Sequence, residues 1–248
     1  MSDKRDNVSR VKRASPAGTS TFVGLRTLDV FLQYGILAKG LADPLLDRLS
    51  VSHVPSNLAP AVAFGLPLKP LVLIAMAAGS TIKQVYNLWF ISQEEMPVAN
   101  AIPIGIFNTI FNSANSILSL TTAATYLVPQ VLSATDNQNE LSPLFIIGTI
   151  GYAVGLLTEL VSEVQRRDFK KDPRNAGKAY TGGLFSLARH INYGGYTIWR
   201  ASYALATGGP IWGSFVGAFF FVDFAKRGVP VLDDYCTKRV SLFAEEFP

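Results

Sequence analysis

From Met96 to Thr135 the chain carries no Asp, Glu, Lys or Arg, and the same is true from Leu141 to Thr158 and from Ala201 to Val222. A helix of roughly 20 apolar residues crosses the hydrocarbon core of a bilayer. Backbone polar groups have no water to bond there, so apolar runs of this kind select helix. The first run is long enough for a crossing and a connecting segment. Two weaker stretches precede it: Leu66 to Ile91, interrupted by Lys69 and Lys83, and Thr21 to Ala42, with Arg26, Asp29 and Lys39 inside it. These runs predict an all-α integral membrane bundle of five or six helices; a compact soluble all-α enzyme is the competing prediction. The 248 residues are 49% hydrophobic and 16% charged, against about 25% charged in ordinary soluble domains. That balance excludes extensive disorder and a highly charged nucleic-acid binder. A single cysteine, Cys236, excludes an internal disulfide framework, and two histidines, His53 and His190, argue against a metal site.

The first residues, MSDKRDNVSRVKR, are polar and basic, with no apolar core and cleavage site after them, so residues 1–20 are expected to form a disordered cytosolic tail. The densest basic stretch lies between Glu163 and Lys178, where Arg166, Arg167, Lys170, Lys171, Arg174 and Lys178 outnumber Glu163, Asp168 and Asp172. By the positive-inside rule this loop faces the cytosol.

Polar residues in a membrane helix are costly and tend to mark function. On a helix, Arg189, Asn192, Tyr193, Tyr196 and Arg200 fall on one stripe, while Gly194 and Gly195 permit close packing. Such a stripe either meets an anionic, hydrogen-bonding ligand or marks a helix end at the interface. Upstream, the basic loop and Gly182-Gly183 suit a phosphate-bearing or charged cofactor, or equally an anionic lipid headgroup. No G-x-G-x-x-G follows a predicted strand, so a Rossmann fold is not the means.

Ser162-Glu163, Lys170, Gly182-Gly183-Leu184-Phe185, Asn192, Gly195 and Tyr203-Ala204-Leu205-Ala206-Thr207 together resemble the steroid 5-alpha-reductase family. Arg189-His190-x-Asn192-Tyr193-x-Gly195 also resembles the wider sterol-reductase superfamily. The resemblance implies a cytosolic-side NADPH pocket within residues 158–248 and hydride transfer to a carbon–carbon double bond of a steroid, enone or other lipid. It implies cofactor contacts from Glu163, Lys170, Lys178, Arg189, His190, Asn192, Tyr193 and Tyr196, closed by Asp233, Asp234, Tyr235, Lys238 and Arg239. Tyr196 departs from the family's acidic residue, and Val240-Ser241 replaces the usual Tyr-Gly.

Residues 21–157 would then form the substrate side. Trp89 to Pro97 resembles the family's glutamine–glutamate segment, in which Glu94 or Glu95, protonated by burial, would hydrogen-bond the substrate carbonyl. Asn108, Asn112, Asn115 and Ser119 form a second polar stripe that faces into the bundle, either touching substrate, Asn112 foremost, or joining helices. Tyr86 and Tyr126 are further donors. Lys83 is expected to snorkel, and His53 to do nothing chemical. Two other functions fit. An S-adenosylmethionine-dependent membrane methyltransferase of the isoprenylcysteine or phospholipid type shares an R-H-P-x-Y-x-G motif; the aromatic Tyr196 favours it and Ile191 in place of proline does not. A non-catalytic lipid-binding relative is the other.

Overall fold

A computed structural model describes residues 9, 11–53, 61–92, 94–121 and 141–246. The described residues form helices joined by loops, with no strand among them. They are α1 (Pro16–Lys39), α2 (Asp43–Arg48), α3 (Leu68–Tyr86), α4 (Val98–Leu120), α5 (Pro143–Lys171), α6 (Ile191–Asp223) and α7 (Val229–Glu246). One π turn extends α3 over Asn87–Ile91, and a second, Phe224–Gly228, joins α6 to α7. Local chemistry sets several ends. Pro16 and Pro143 open α1 and α5, where a missing N–H costs nothing. The Ser142 hydroxyl accepts from Phe145 N at 3.2 Å, and Gly40, at φ +64°, closes α1 in the left-handed conformation.

Among the described residues, three segments are long and apolar enough to cross a membrane: Leu68–Ile91, Pro143–Lys171 and Ile191–Thr237. α1 and α4, of 24 and 23 residues, match them in length and carry polar side chains that the bundle buries. The architecture is thus the membrane helix bundle that the charge-free runs predict.

The Ala201–Val222 run is not one crossing. Gly209 has φ +72°, a conformation that glycine alone adopts freely, and Pro210 follows it. Beyond the turn the chain doubles back. Tyr196 packs edge-on against Phe220 at 5.2 Å, and Tyr193 stacks on Phe224 at 4.5 Å. α6 is therefore a helical hairpin whose first arm, residues 191–208, is about 27 Å long at 1.5 Å per residue, near the thickness of a hydrocarbon core, and whose second, residues 210–223, is about 21 Å long before the π turn continues it.

α5 and the first arm of α6 pack in closest contact. A methyl group on Gly155 would lie 2.5 Å from Trp199 N, and one on Gly195 would lie 2.7 Å from Glu159 N. Gly148 meets the Ser202 carbonyl in the same way. Small residues let these two backbones approach, as expected of Gly195; Gly194 instead faces open space.

The N-terminal expectation needs correction. α1 begins at Pro16, and the residues before it are tied to the loop ahead of α4. The Ser9 hydroxyl donates to Glu95 at 2.7 Å, Arg13 Nε donates to Glu95 at 2.9 Å, and Met96 N donates to the Ser15 hydroxyl at 2.7 Å. From Ser9 onward the described residues are not a free tail.

Candidate functional site

The mouth of the α6 hairpin gathers several residues of the predicted stripe. Arg189 Nη2 donates to Asp233 Oδ1 at 2.7 Å, linking the start of α6 to α7. His190 stacks on Tyr193 at 5.7 Å, with its Nε2 3.8 Å from the same carboxylate oxygen. Tyr193 stacks on Phe224, and Tyr196 meets Phe224 edge-on at 5.5 Å. Asn192 is buried, and its Oδ1 has no partner among the described residues. Since Gly195 lies against Glu159, the antiparallel register brings Asn192 opposite Ser162. Burial lowers the His190 imidazole below its ordinary range; Asp233 opposes that shift, and Arg189 and Arg166 reinforce it. His190 is accordingly neutral, with Nε2 unpartnered among the described residues.

The structure divides the rest of the stripe. α6 starts at Ile191, so Arg189 stands outside the helix and is exposed, whereas Arg200 is buried deep in the bundle. Glu163 is not free to line a cofactor pocket. Its carboxylate is taken by Lys83 at 3.1 Å and by Asn87 Nδ2 at 2.6 Å. Lys170 and Lys178 lie exposed around the end of α5, and the Leu184 N–H that a phosphate cradle would use donates to Gln165 at 2.9 Å. Asp234 is exposed and Tyr235 half-buried on α7. The side chains of Lys238 and Arg239 lie outside the described residues, as does Tyr126.

The proposed carbonyl-binding carboxylate is also corrected. Glu95 forms an ion pair with Arg13, and the hydrogen bond from Ser9, together with that pair, holds its carboxyl below the usual carboxylate range. An ionised group accepts hydrogen bonds and donates none. Glu94 is half-exposed beside it. Asn108, Asn112 and Asn115 do face the interior. Asn112 Nδ2 donates to Asp29 at 2.7 Å and leaves its Oδ1 unpartnered, while Asn115 Oδ1 accepts from Trp212 Nε1 at 2.7 Å.

A family model described as "Protein of unknown function (DUF1295)" matches residues 101–241, which take in α4 through most of α7. The chain belongs to the DUF1295 family. That family is associated with steroid 5-alpha-reductase-like proteins. The chain is also 39% identical over 236 residues, 93% of its own length and 82% of the relative's, to a protein of Ustilaginoidea virens named "Probable O-methyltransferase ustE". No solved structure matches. The relative's name overturns the reductase expectation. A relative matched over nearly the whole chain carries the name of a methyl-transferring enzyme.

In this DUF1295 chain the largest feature missed at the level of sequence is a buried ion cluster. Lys83, expected to snorkel, is 6% exposed and bonds to Glu159 and Glu163 across the α3–α5 interface. Trp199 Nε1 donates to Glu159 at 2.7 Å. The signal was present as two carboxylates four residues apart on one helix face and a lysine, Lys83, well inside an apolar helix. A second cluster joins Arg26 to Asp29, with Gln33 and Asn112 completing the carboxylate's bonds.

Proposed function

We propose that this protein is a membrane-embedded, S-adenosylmethionine-dependent O-methyltransferase acting on an oxygen of a small molecule that partitions into lipid. The relative named a probable O-methyltransferase, matched across 93% of the chain, carries this reading. The residues at the mouth of the hairpin fit the methyl donor. The unpartnered buried Asn192 Oδ1 suits an amino group, Arg189 a carboxylate, and Asp233 a hydroxyl or ammonium. The faces of Tyr193, Phe224 and Tyr196 suit a cation and a purine ring. When bound, the donor supplies an electrophilic methyl group on a sulfonium. The chain's own residues then bind and orient it, and His190 Nε2 receives the proton of an acceptor hydroxyl. The basic loop, Arg13, Lys226 and Arg227 share one end of the bundle, which supports a cytosolic orientation for that end, with the endoplasmic reticulum as the expected membrane.

The test is thermal unfolding of the purified protein with S-adenosylmethionine, NADPH or neither. A donor at a hundredfold excess over its Kd stabilises the folded state by about 2.7 kcal/mol. A shift with S-adenosylmethionine and none with NADPH is expected; the reverse pattern rejects the proposal.

His190 gives a pH signature. Its folded-state pKa lies below the ordinary 6.5, so the neutral base persists to lower pH than a solvated imidazole would. Turnover is expected to hold through neutrality and to fall on the acid side, below that ordinary value. The folded state also resists protonation, so stability declines in the same direction, as pH drops through the unfolded value. His190→Gln should lower turnover by about a hundredfold or more with donor affinity unchanged. An unchanged pH profile in that variant removes His190 from the reaction.

A further inference from the structure

Among the described residues, Arg200 is a fully buried cation that no carboxylate neutralises. Arg200, on the first arm of α6, is 2% exposed, and among the described residues no carboxylate lies within ion-pair distance of it. Its Nη2 donates to Asn108 Oδ1 and its Nε to the Tyr196 hydroxyl at 3.1 Å, both neutral acceptors. Its Nη1 has no partner among the described residues. Two other buried cations, Arg26 and Lys83, are provided for. Arg26 is paired with Asp29, whose oxygens also accept from Gln33 and Asn112. Lys83 has two glutamates, which are further bonded by Trp199 and Asn87. A charge inside a membrane bundle calls for a partner, and one left without is costly.

A second unpaired group stands on the helix that faces Arg200. Asn112, one turn from Asn108 on α4, is fully buried with a free Oδ1. Aromatic faces surround the guanidinium: Trp199 at 4.3 Å, Tyr196 at 5.3 Å, Phe220 at 5.5 Å and Phe111 at 5.8 Å.

We infer that Arg200 anchors a monoanionic oxygen, a carboxylate or a phenolate, of a lipid-phase ligand held among these aromatic rings. That this ligand is the methyl acceptor rests on the O-methyltransferase reading; the anion site itself does not. A single unneutralised positive charge matches one negative charge, and a phosphate dianion would exceed it. Arg200 lies eight residues beyond Asn192, about 12 Å along the helix at 1.5 Å per residue. The anchored group therefore sits deeper than the mouth of the hairpin, and Arg200 acts as a positioning residue.

The experiment uses the full chain in phosphatidylcholine nanodiscs. Unfolding temperature is followed with dodecanoate and para-nitrophenol, and with their uncharged counterparts methyl dodecanoate and para-nitroanisole. The absorbance of the nitrophenolate reports anion capture directly. One anion should stabilise the protein and its uncharged counterpart should not, the two pairs separating carboxylate from phenolate. Arg200→Gln should weaken that binding about tenfold or more, with Arg200→Lys between it and the wild type. Equal shifts for charged and uncharged probes, or no shift with either anion, overturn the inference. If Arg200→Gln does not fold, the wild-type comparison and Arg200→Lys decide. S-adenosylmethionine is titrated in the same samples. Anion binding without a donor shift rejects the methyltransferase reading and keeps the anchor, and a donor shift without anion binding does the opposite.

Discussion

Gly195→Leu is expected to yield no folded protein. A Cβ at this position would sit 2.7 Å from Glu159 N and 2.8 Å from the Gly155 carbonyl oxygen, both backbone atoms of the facing helix. Neither can rotate away as a side chain would, so α5 and α6 must separate along the interface that carries Gly148 and Gly155. Overpacking ordinarily costs about 1–3 kcal/mol when neighbours are free to adjust, and here they are not. The neighbouring position supplies the control. Gly194 has nothing within 4 Å of its Cβ direction, so Gly194→Leu should fold normally and unfold near the wild-type temperature. Size-exclusion chromatography in detergent distinguishes the two, and a monodisperse Gly195→Leu protein would show that the helices pack more loosely.

Lys83→Met is expected to be the most damaging substitution of a polar side chain. It leaves Glu159 and Glu163, 6% and 9% exposed, facing each other without their cation. Breaking a buried ion pair by removing one partner costs about 3–5 kcal/mol. Replacing the whole cluster with apolar residues of similar volume should recover much of that loss, because desolvating the charges is then no longer required. Equilibrium unfolding of Lys83→Met and of the triple variant Lys83→Met, Glu159→Leu, Glu163→Leu provides the comparison. If the single variant is as stable as the wild type, the carboxylates are hydrated and the cluster contributes no stability.

Lipid makes the coarse fold readable because it imposes a single demand, long stretches without charge, and three such stretches were plain. The same demand hid the finer features. Lys83 in isolation reads as a side chain reaching for the interface; its partners lie 76 and 80 positions away on α5, and only packing brings them together. Arg26 and Asp29 made α1 look a poor membrane helix, although a pair three residues apart can neutralise itself on one face. The Gly208-Gly209-Pro210 turn lies inside an unbroken apolar run, so a search for charge-free stretches passes over it. At the site, Arg189, His190, Asn192 and Tyr193 were identified as a group, and the structure does bring them to one end of the bundle with Asp233. What they do was misread. An Arg-His motif followed by Asn, Tyr and Gly suits a charged, ring-bearing cofactor without specifying which one, and Tyr196 in place of an acidic residue was a local sign that leaned toward methyl transfer.

The reversal at Gly209 decides the side of the membrane on which the chain's last described helix begins. With a straight helix, Asp233 would leave the bilayer opposite Arg189, and the two could never meet. By adding one more pass, a single left-handed glycine makes the number of long passes among the described helices even. Both partners of that ion pair then lie at one end of the bundle, and water-soluble molecules of the compartment at that end are the ones that meet the mouth of the hairpin.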